Sequence, residues 1–326
     1  MKILSPVDKV EEVELLIQAG ADELYCGLLT EEWHNLYIAG SINRRPGGGA
    51  NFTTLSKLEE CVTIAHAHTI PVFLTLNEHY YINKQYPYIR RFISDAQDIG
   101  VNALIVADPA ILLLLMEMKS RMKVVISTGG VVFNSETAKF YQELGASRII
   151  LPRHLTIEEI RKVAKRVNNL ELETFIFNSR CPNVDGLCTF QHGLADKSLD
   201  LLYRNACMLN YNISVAVENG YEEDAENISM DRQHIWETIH VDDFPCGACA
   251  LWDFNSIGID SVKIVGRGNP TLRKLADVRF LKSLVDTLAS GPTREEFYAV
   301  AQKRYRETYN RQCRIPMCYY PEVMVK

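Results

Sequence analysis

Short runs rich in Val, Ile and Leu alternate along this chain with amphipathic stretches of helical period, and a glycine or turn former closes most of the helical stretches. Such alternation restricts the fold to strands packed parallel with helices returning between them. Lys2–Pro6 reads as a strand and Lys9–Ala19 as a helix with Val10, Val13, Leu16 and Ile17 on its apolar side, stopped by Gly20. Further strands are expected at Glu23–Gly27, Val72–Leu76, Ala103–Ala107, Val124–Ser127, Arg148–Leu151, Leu172–Phe177 and Ser261–Val265. Helices are expected at Leu55–His68, Tyr88–Ile99, Ala110–Lys119, Glu136–Leu144, Ile157–Val167 and Leu272–Leu288.

Eight such units predict a TIM-like (β/α)8 parallel barrel, complete or short of one unit, with its functional groups at the carboxyl ends of the strands. An open doubly wound sheet has the same periodicity, and the pattern does not separate the two. The reading places a barrel domain at residues 1–290, an insertion at about 178–260 before the last strand, and a C-terminal helix (Arg294–Tyr309) with a short tail at 291–326. An insertion of that length is expected to be functional.

Four cysteines, Cys181, Cys188, Cys207 and Cys246, fall within that insertion. Pro182, Asn183, Asp185 and Gly186, which lie between the first two, are turn formers. Four thiolates brought together would hold a metal ion or an iron–sulfur cluster. The intervals match neither a zinc ribbon nor a ferredoxin run, so spacing leaves the metal undecided. The opposing reading is scattered buried thiols, which Cys26 and Cys61 on strand and helix faces suggest for themselves. Cys249 competes with Cys246 for the fourth position, and Cys313 and Cys318 read as structural or free for want of further ligands.

Hydrophobic residues make up 47% and charged residues 23%, enough for one large core without disordered tracts. The formal charge of −6 gives no broad positive field, so nucleic acid is a disfavoured partner. Acidic residues near the start and the lack of a long apolar run predict a cytoplasmic protein without a membrane span, in which a disulfide framework is not expected.

Several short segments together resemble the collagenase-like family catalogued as peptidase family U-32. They include Ala21-Asp22-Glu23-Leu24-Tyr25-Cys26-Gly27, Arg44 or Arg45 ahead of Asn51-Phe52, Thr75-Leu76-Asn77, Ala107-Asp108-Pro109 and Ser127-Thr128. Further along come Glu143-Leu144-Gly145-Ala146-Ser147-Arg148, Leu151-Pro152-Arg153, Glu173-x-Phe175 before Cys181, and Gly258-Ile259-Asp260-Ser261-x-Lys263-Ile264-x-Gly266-Arg267. The resemblance implies a 4Fe-4S cluster on Cys181, Cys188, Cys207 and Cys246. It also implies oxygen-independent hydroxylation with prephenate as the oxygen source, the peptidase label belonging to older collagenase-like assignments. Phe177-Asn178, His154 and Val265 depart from residues common in the family, and they lie near the expected pocket.

Relatives of the RNA-modifying kind usually carry additional sequence, so a small molecule or peptide is the expected substrate, and a homologous partner chain is compatible with this length. The rivals are a collagenase-like peptidase, for which no Ser-His-Asp order, His-Glu-x-x-His or nucleophile elbow appears, and a non-catalytic cluster-bearing partner subunit. Glu173 and Asp108 are candidates for proton transfer if burial raises their pKa. Asn77, Ser127, Arg153, Arg267 and Arg45 are candidates for binding substrate, since guanidinium grips a carboxylate at two points. The opposing readings are helix capping for Asp108 and Ser127 and structural ion pairs for arginines, Arg148 and Arg44 among them. The Gly47-Gly48-Gly49 run lacks the Lys-Ser/Thr of a phosphate loop and reads as a lid. His34, His66, His68 and His79 do not pair at helical spacing and read as ordinary surface or half-buried residues.

Overall fold

In the computed structural model, which describes residues 1–37, 41–45, 48–178, 181, 184–188 and 245–324, the eight expected strands close into one barrel in chain order. They are β1 (Lys2–Pro6), β2 (Glu23–Cys26), β3 (Val72–Leu76), β4 (Ala103–Val106), β5 (Lys123–Ile126), β6 (Arg148–Ile150), β7 (Glu171–Phe177) and β8 (Ser261–Ile264). All neighbours pair parallel, and β8 returns to β1 with Lys2 opposite Ser261. Closure removes both sheet edges and decides for the barrel over the open sheet.

The helices are α1 (Val13–Ala19), α2 (Glu31–Leu36), α3 (Leu55–Ala67), α4 (Tyr86–Asp98), α5 (Pro109–Glu117), α6 (Ser135–Glu143), α7 (Ile157–Ala164), α8 (Leu251–Ile257), α9 (Thr271–Leu288) and α10 (Arg294–Tyr309). Local chemistry sets several ends. Gly20 closes α1 at φ 108°, and reciprocal Thr156–Glu159 and Thr293–Glu296 capping boxes open α7 and α10. The periodicity shows neither α2 nor α8, because each is under two turns long. α8 lies within the stretch read as an insertion and packs on α7 and α9, as the crossover helix between β7 and β8. Cys26 and Cys61 are buried in the core.

The barrel interior is not filled by aliphatic side chains alone. Arg148 on β6 donates from Nη1 and Nη2 to both oxygens of Glu23 on β2, at 2.6 and 2.8 Å. It also donates from Nη1 to Glu173 on β7 at 3.1 Å and from Nε to Glu171 at 2.7 Å. Lys263 on β8 stands 3.3 Å from Glu173 and 3.8 Å from the centre of the Tyr25 ring. Burial alone would raise the Glu23 carboxyl, but Arg148 and Lys2 hold it below the usual carboxylate range, and burial pulls Lys263 down. Arg148 is thus a structural ion pair.

Near the end of β7, Phe177 packs edge-on against Phe280 of α9, and the Asn178 amide donates to Asp277 and to the Val265 carbonyl. These two residues, expected near the pocket, anchor the C-terminal helices. Among the described residues no helix is long and apolar enough to cross a membrane.

Replacing Arg148 with Leu strands the Glu23 and Glu173 carboxylates in a buried layer. The expected cost is about 3–5 kcal/mol, read as a lowered urea midpoint, because breaking a buried pair leaves an uncompensated charge.

Candidate functional site

Polar residues converge where the strands end. Gly27 follows β2, and a side chain there would collide with Arg267 Nη1, Asn51 Oδ1 and Asn43 Nδ2. That close approach requires glycine. Arg267, just past β8, donates from Nη1 to Thr75 Oγ1 at 2.8 Å and Asn51 Oδ1 at 3.3 Å, and from Nη2 to the Asn43 carbonyl at 2.9 Å. All three acceptors are neutral. No carboxylate hydrogen-bonds this guanidinium among the described residues, and burial, reinforced by nearby Arg45, pulls it down to about 10. Asp8 fixes the next loop by accepting from Gly268 N and Lys274 Nζ.

Beside this cage, Asn77 Nδ2 donates to Ser127 Oγ at 3.1 Å, and Ser127 in turn accepts from Gly129 N. Glu78 and His79 follow Asn77. Arg44 reaches the same region, with Nη2 donating to Cys188 Sγ at 2.7 Å, and a side chain on Gly129 would meet both Arg44 Nη1 and His79 Cε1. Burial raises the Glu78 carboxyl, opposed by a backbone N–H and by Arg44, and lowers the His79 imidazole.

On the other side of the mouth, Asp185 accepts from Arg153 Nη2 at 2.6 Å, from Nε at 3.0 Å and from the backbone N at 2.8 Å. Arg153 also lies over the Phe175 ring. Burial would raise the Asp185 carboxyl, and the Arg153 guanidinium holds it below the usual range. A cavity of about 400 Å³ beside this pair is lined by His154, Cys181, Cys318, Tyr319 and Glu322 among others. The C-terminal tail forms one wall. Cys246 N donates to the Met317 carbonyl, Tyr319 N to the Cys246 carbonyl, Tyr320 Oη to the Phe175 carbonyl, and Tyr319 Oη to that of Asn178.

The structure places Asn77, Ser127, Arg45, Arg153 and Arg267 at the carboxyl ends of the strands. It places the two expected carboxylates differently. Glu173 lies fully buried in the interior layer, held by Arg148 and Lys263, and Asp108 caps α5 by accepting from Ala110 N at 2.9 Å. Of the expected metal ligands, Cys207 lies outside the described residues. Cys181 lines the cavity, Cys188 meets Arg44, and Cys246 is buried beside Cys318, to which it is bridged through the backbone. Burial and the neighbouring thiols Cys249, Cys313 and Cys318 raise the Cys246 thiol, with one backbone N–H opposing. Among the described residues no group of three Cys, His, Asp or Glu is gathered to hold one metal ion. Thiolates are the usual ligands of an iron–sulfur centre. Two of these thiols lie beside a guanidinium, which offsets the charge of a ligating thiolate.

Sequence reasoning missed the Glu78–His79 pair, the Asp185 clamp and the tail. A lone His or Asp in a turn carries no periodic signal, and the tail reaches the mouth only through the folded barrel.

The model of Peptidase family U32 matches residues 8–322. The tRNA hydroxylation protein P of Escherichia coli is 27% identical over 74% of this chain and 48% of its own length. The 23S rRNA 5-hydroxycytidine C2501 synthase of the same organism is 27% identical over 82% of this chain and 36% of its own. A collagenase of Porphyromonas gingivalis is 24% identical over 95% and 71%. The chain thus spans about half the length of the first of these. The expectation that nucleic acid is a disfavoured partner is overturned by the two RNA-hydroxylating relatives. Net charge averages the whole surface, whereas Arg44, Arg45 and Arg267 lie at one end of the barrel.

The lowered carboxyl of Asp185 makes its clamp stabilising above the ordinary Asp range near pH 4, and that contribution is lost as pH falls through the lowered value. Backbone hydrogen exchange or protease nicking at residues 184–188 is expected to rise at that acid end, and Asp185→Asn is expected to show the same opening already at neutral pH.

Proposed function

The chain belongs to peptidase family U32, and on that premise we propose that it takes part in hydroxylating a base of RNA without dioxygen. The names of its relatives support hydroxylation and an RNA substrate, the independence from dioxygen resting on the family resemblance, and the mouth supplies suitable chemistry. One observation carries the reading: Arg267 is a half-buried guanidinium at the strand ends whose hydrogen-bond acceptors among the described residues are all neutral, so its charge is available to an anion. Arg45 adds positive charge beside it. Together they would orient a carboxylate of an organic oxygen donor such as prephenate, or a phosphate of the RNA. Because Gly27, Asn43, Asn51 and Thr75 fix the Arg267 fork, little ordering remains to be done when the anion arrives.

Cys181, Cys188, Cys207 and Cys246 would hold a 4Fe-4S cluster. When bound, the cluster would supply electron transfer near the mouth. Arg44 and Arg153 would offset the charge of its thiolates, and the Asp185 clamp would fix the approach of the loop between Cys181 and Cys188. Asn77 and Ser127 would position the substrate at the opposite rim. Ser127 does not form a nucleophile–base pair, since its partners are the Asn77 amide and the Gly129 N–H. The structure therefore gives the peptidase reading no specific support.

The test is anaerobic purification with iron and sulfide analysis and a visible spectrum, followed by mass spectrometry of RNA nucleosides from cells lacking or overproducing the protein. A hydroxylated nucleoside that tracks the protein, together with iron that falls in Cys181→Ala and Cys188→Ala, is the expected outcome. A colourless wild-type protein removes the cluster, and an unchanged nucleoside profile removes the activity. Gly27→Ala is expected to abolish the modification by displacing Arg267 while leaving the iron content in place.

A further inference from the structure

Buried side-chain polar atoms almost always have a hydrogen-bond partner, and those that do not call for an explanation. Among the described residues three such unpartnered atoms fall on consecutive positions: Asn77 Oδ1, Glu78 Oε2 and His79 Nε2. All three lie in the turn leaving β3, at the carboxyl end of the barrel, where ligands bind in this architecture. The other polar atoms of Asn77 and Glu78 are committed. Asn77 Nδ2 donates to Ser127, and Glu78 Oε1 accepts from His79 N at 3.0 Å. Glu78 N donates to Tyr81 Oη, which is itself fixed by donating to the Ile42 carbonyl. The turn is therefore held in place with three polar atoms to spare.

The next residue has the opposite character. Tyr80 is 59% exposed, one of the most exposed large apolar side chains among the described residues, and Ile82 beyond it is 50% exposed. Unpartnered hydrogen-bonding atoms on one turn, followed directly by a bare aromatic ring, suit the two surfaces of an unpaired base, which offers a polar edge and an apolar face. Two of the three free atoms are carboxyl or amide oxygens, acceptors for ring or exocyclic N–H groups, as acidic and amide side chains commonly are for bases. A peptide would need the same acceptors at the spacing of its backbone, but it gives the exposed ring no flat face to cover.

We propose that the turn Asn77–Tyr80 receives an unpaired nucleobase of the RNA, with Asn77, Glu78 and His79 hydrogen-bonding its edge and Tyr80 stacking on it or on its neighbour. This assignment rests on the RNA reading above and adds the residues that hold the base. It separates two tasks at the mouth: Arg267 and Arg45 hold an anionic group, and the β3 turn holds the base.

Fluorescence anisotropy of the full chain with a short labelled single-stranded oligoribonucleotide, and with the same strand carrying abasic sites, tests it. Tyr80→Ala is expected to weaken binding of the intact strand about ten-fold, while Tyr80→Phe keeps it. Because Tyr80 is exposed, its replacement leaves the fold intact, which circular dichroism checks. Glu78→Gln and His79→Ala are each expected to weaken binding by about five-fold or more, and none of the variants alters affinity for the abasic strand. Wild-type protein that binds RNA equally with and without bases, or variants that bind the intact strand like wild type, overturn the inference and leave the RNA reading standing. Wild-type protein that binds no RNA overturns the reading and the inference together.

Discussion

The guanidinium of Arg148 is the point on which the barrel closes. It joins β6 to Glu23 of β2 across the interior and to Glu171 and Glu173 of β7 beside it, and Lys263 of β8 completes the layer. A buried charge of this kind adds little net stability over an apolar filling, but it tolerates few alternative arrangements. Strand registers that moved any of these carboxylates away would leave a charge unpaired in the core. The layer thereby sets which residues reach the next level up, where Tyr25, Thr75 and Phe175 lie beneath the mouth.

Above that layer the charges cease to cancel. Arg148 is matched by carboxylates, and Arg153 by Asp185, whereas Arg267 is held by an amide, a hydroxyl and a backbone carbonyl. Two of the three arginines thus meet carboxylates, and the third, just past β8, meets neutral acceptors. The difference comes from which acceptors the neighbouring loops bring. Asn43 and Asn51 reach Arg267 only because Gly27 has no side chain in the way.

The C-terminal segment is part of the mouth. Met317, Tyr319 and Tyr320 bond to the chain around Cys246, Asn178 and Phe175, so the tail walls the cavity into which Cys181 faces. It also brings Cys318 beside Cys246. The thiols at this end of the barrel consequently come from segments far apart in the chain, each fixed by a different neighbour: Arg153 near Cys181, Arg44 at Cys188 and the tail strand at Cys246.

The strands and most of the helices were legible because burial on both faces writes continuous Val, Ile and Leu runs, and one-sided burial writes a helical period, whatever the partners are. The family could be read from motifs at strand ends. Short helices such as Leu251–Ile257 were not legible, since two turns do not establish a period. Net charge is a weak guide to partners, because it records how many cations there are and not where they gather. The roles of like residues were decided by tertiary structure alone: whether an arginine is neutralised, whether Asp108 caps a helix, whether His79 is left with a free nitrogen. Those outcomes depend on atoms supplied by distant loops at hydrogen-bond range, a distance over which a one-dimensional pattern carries no information.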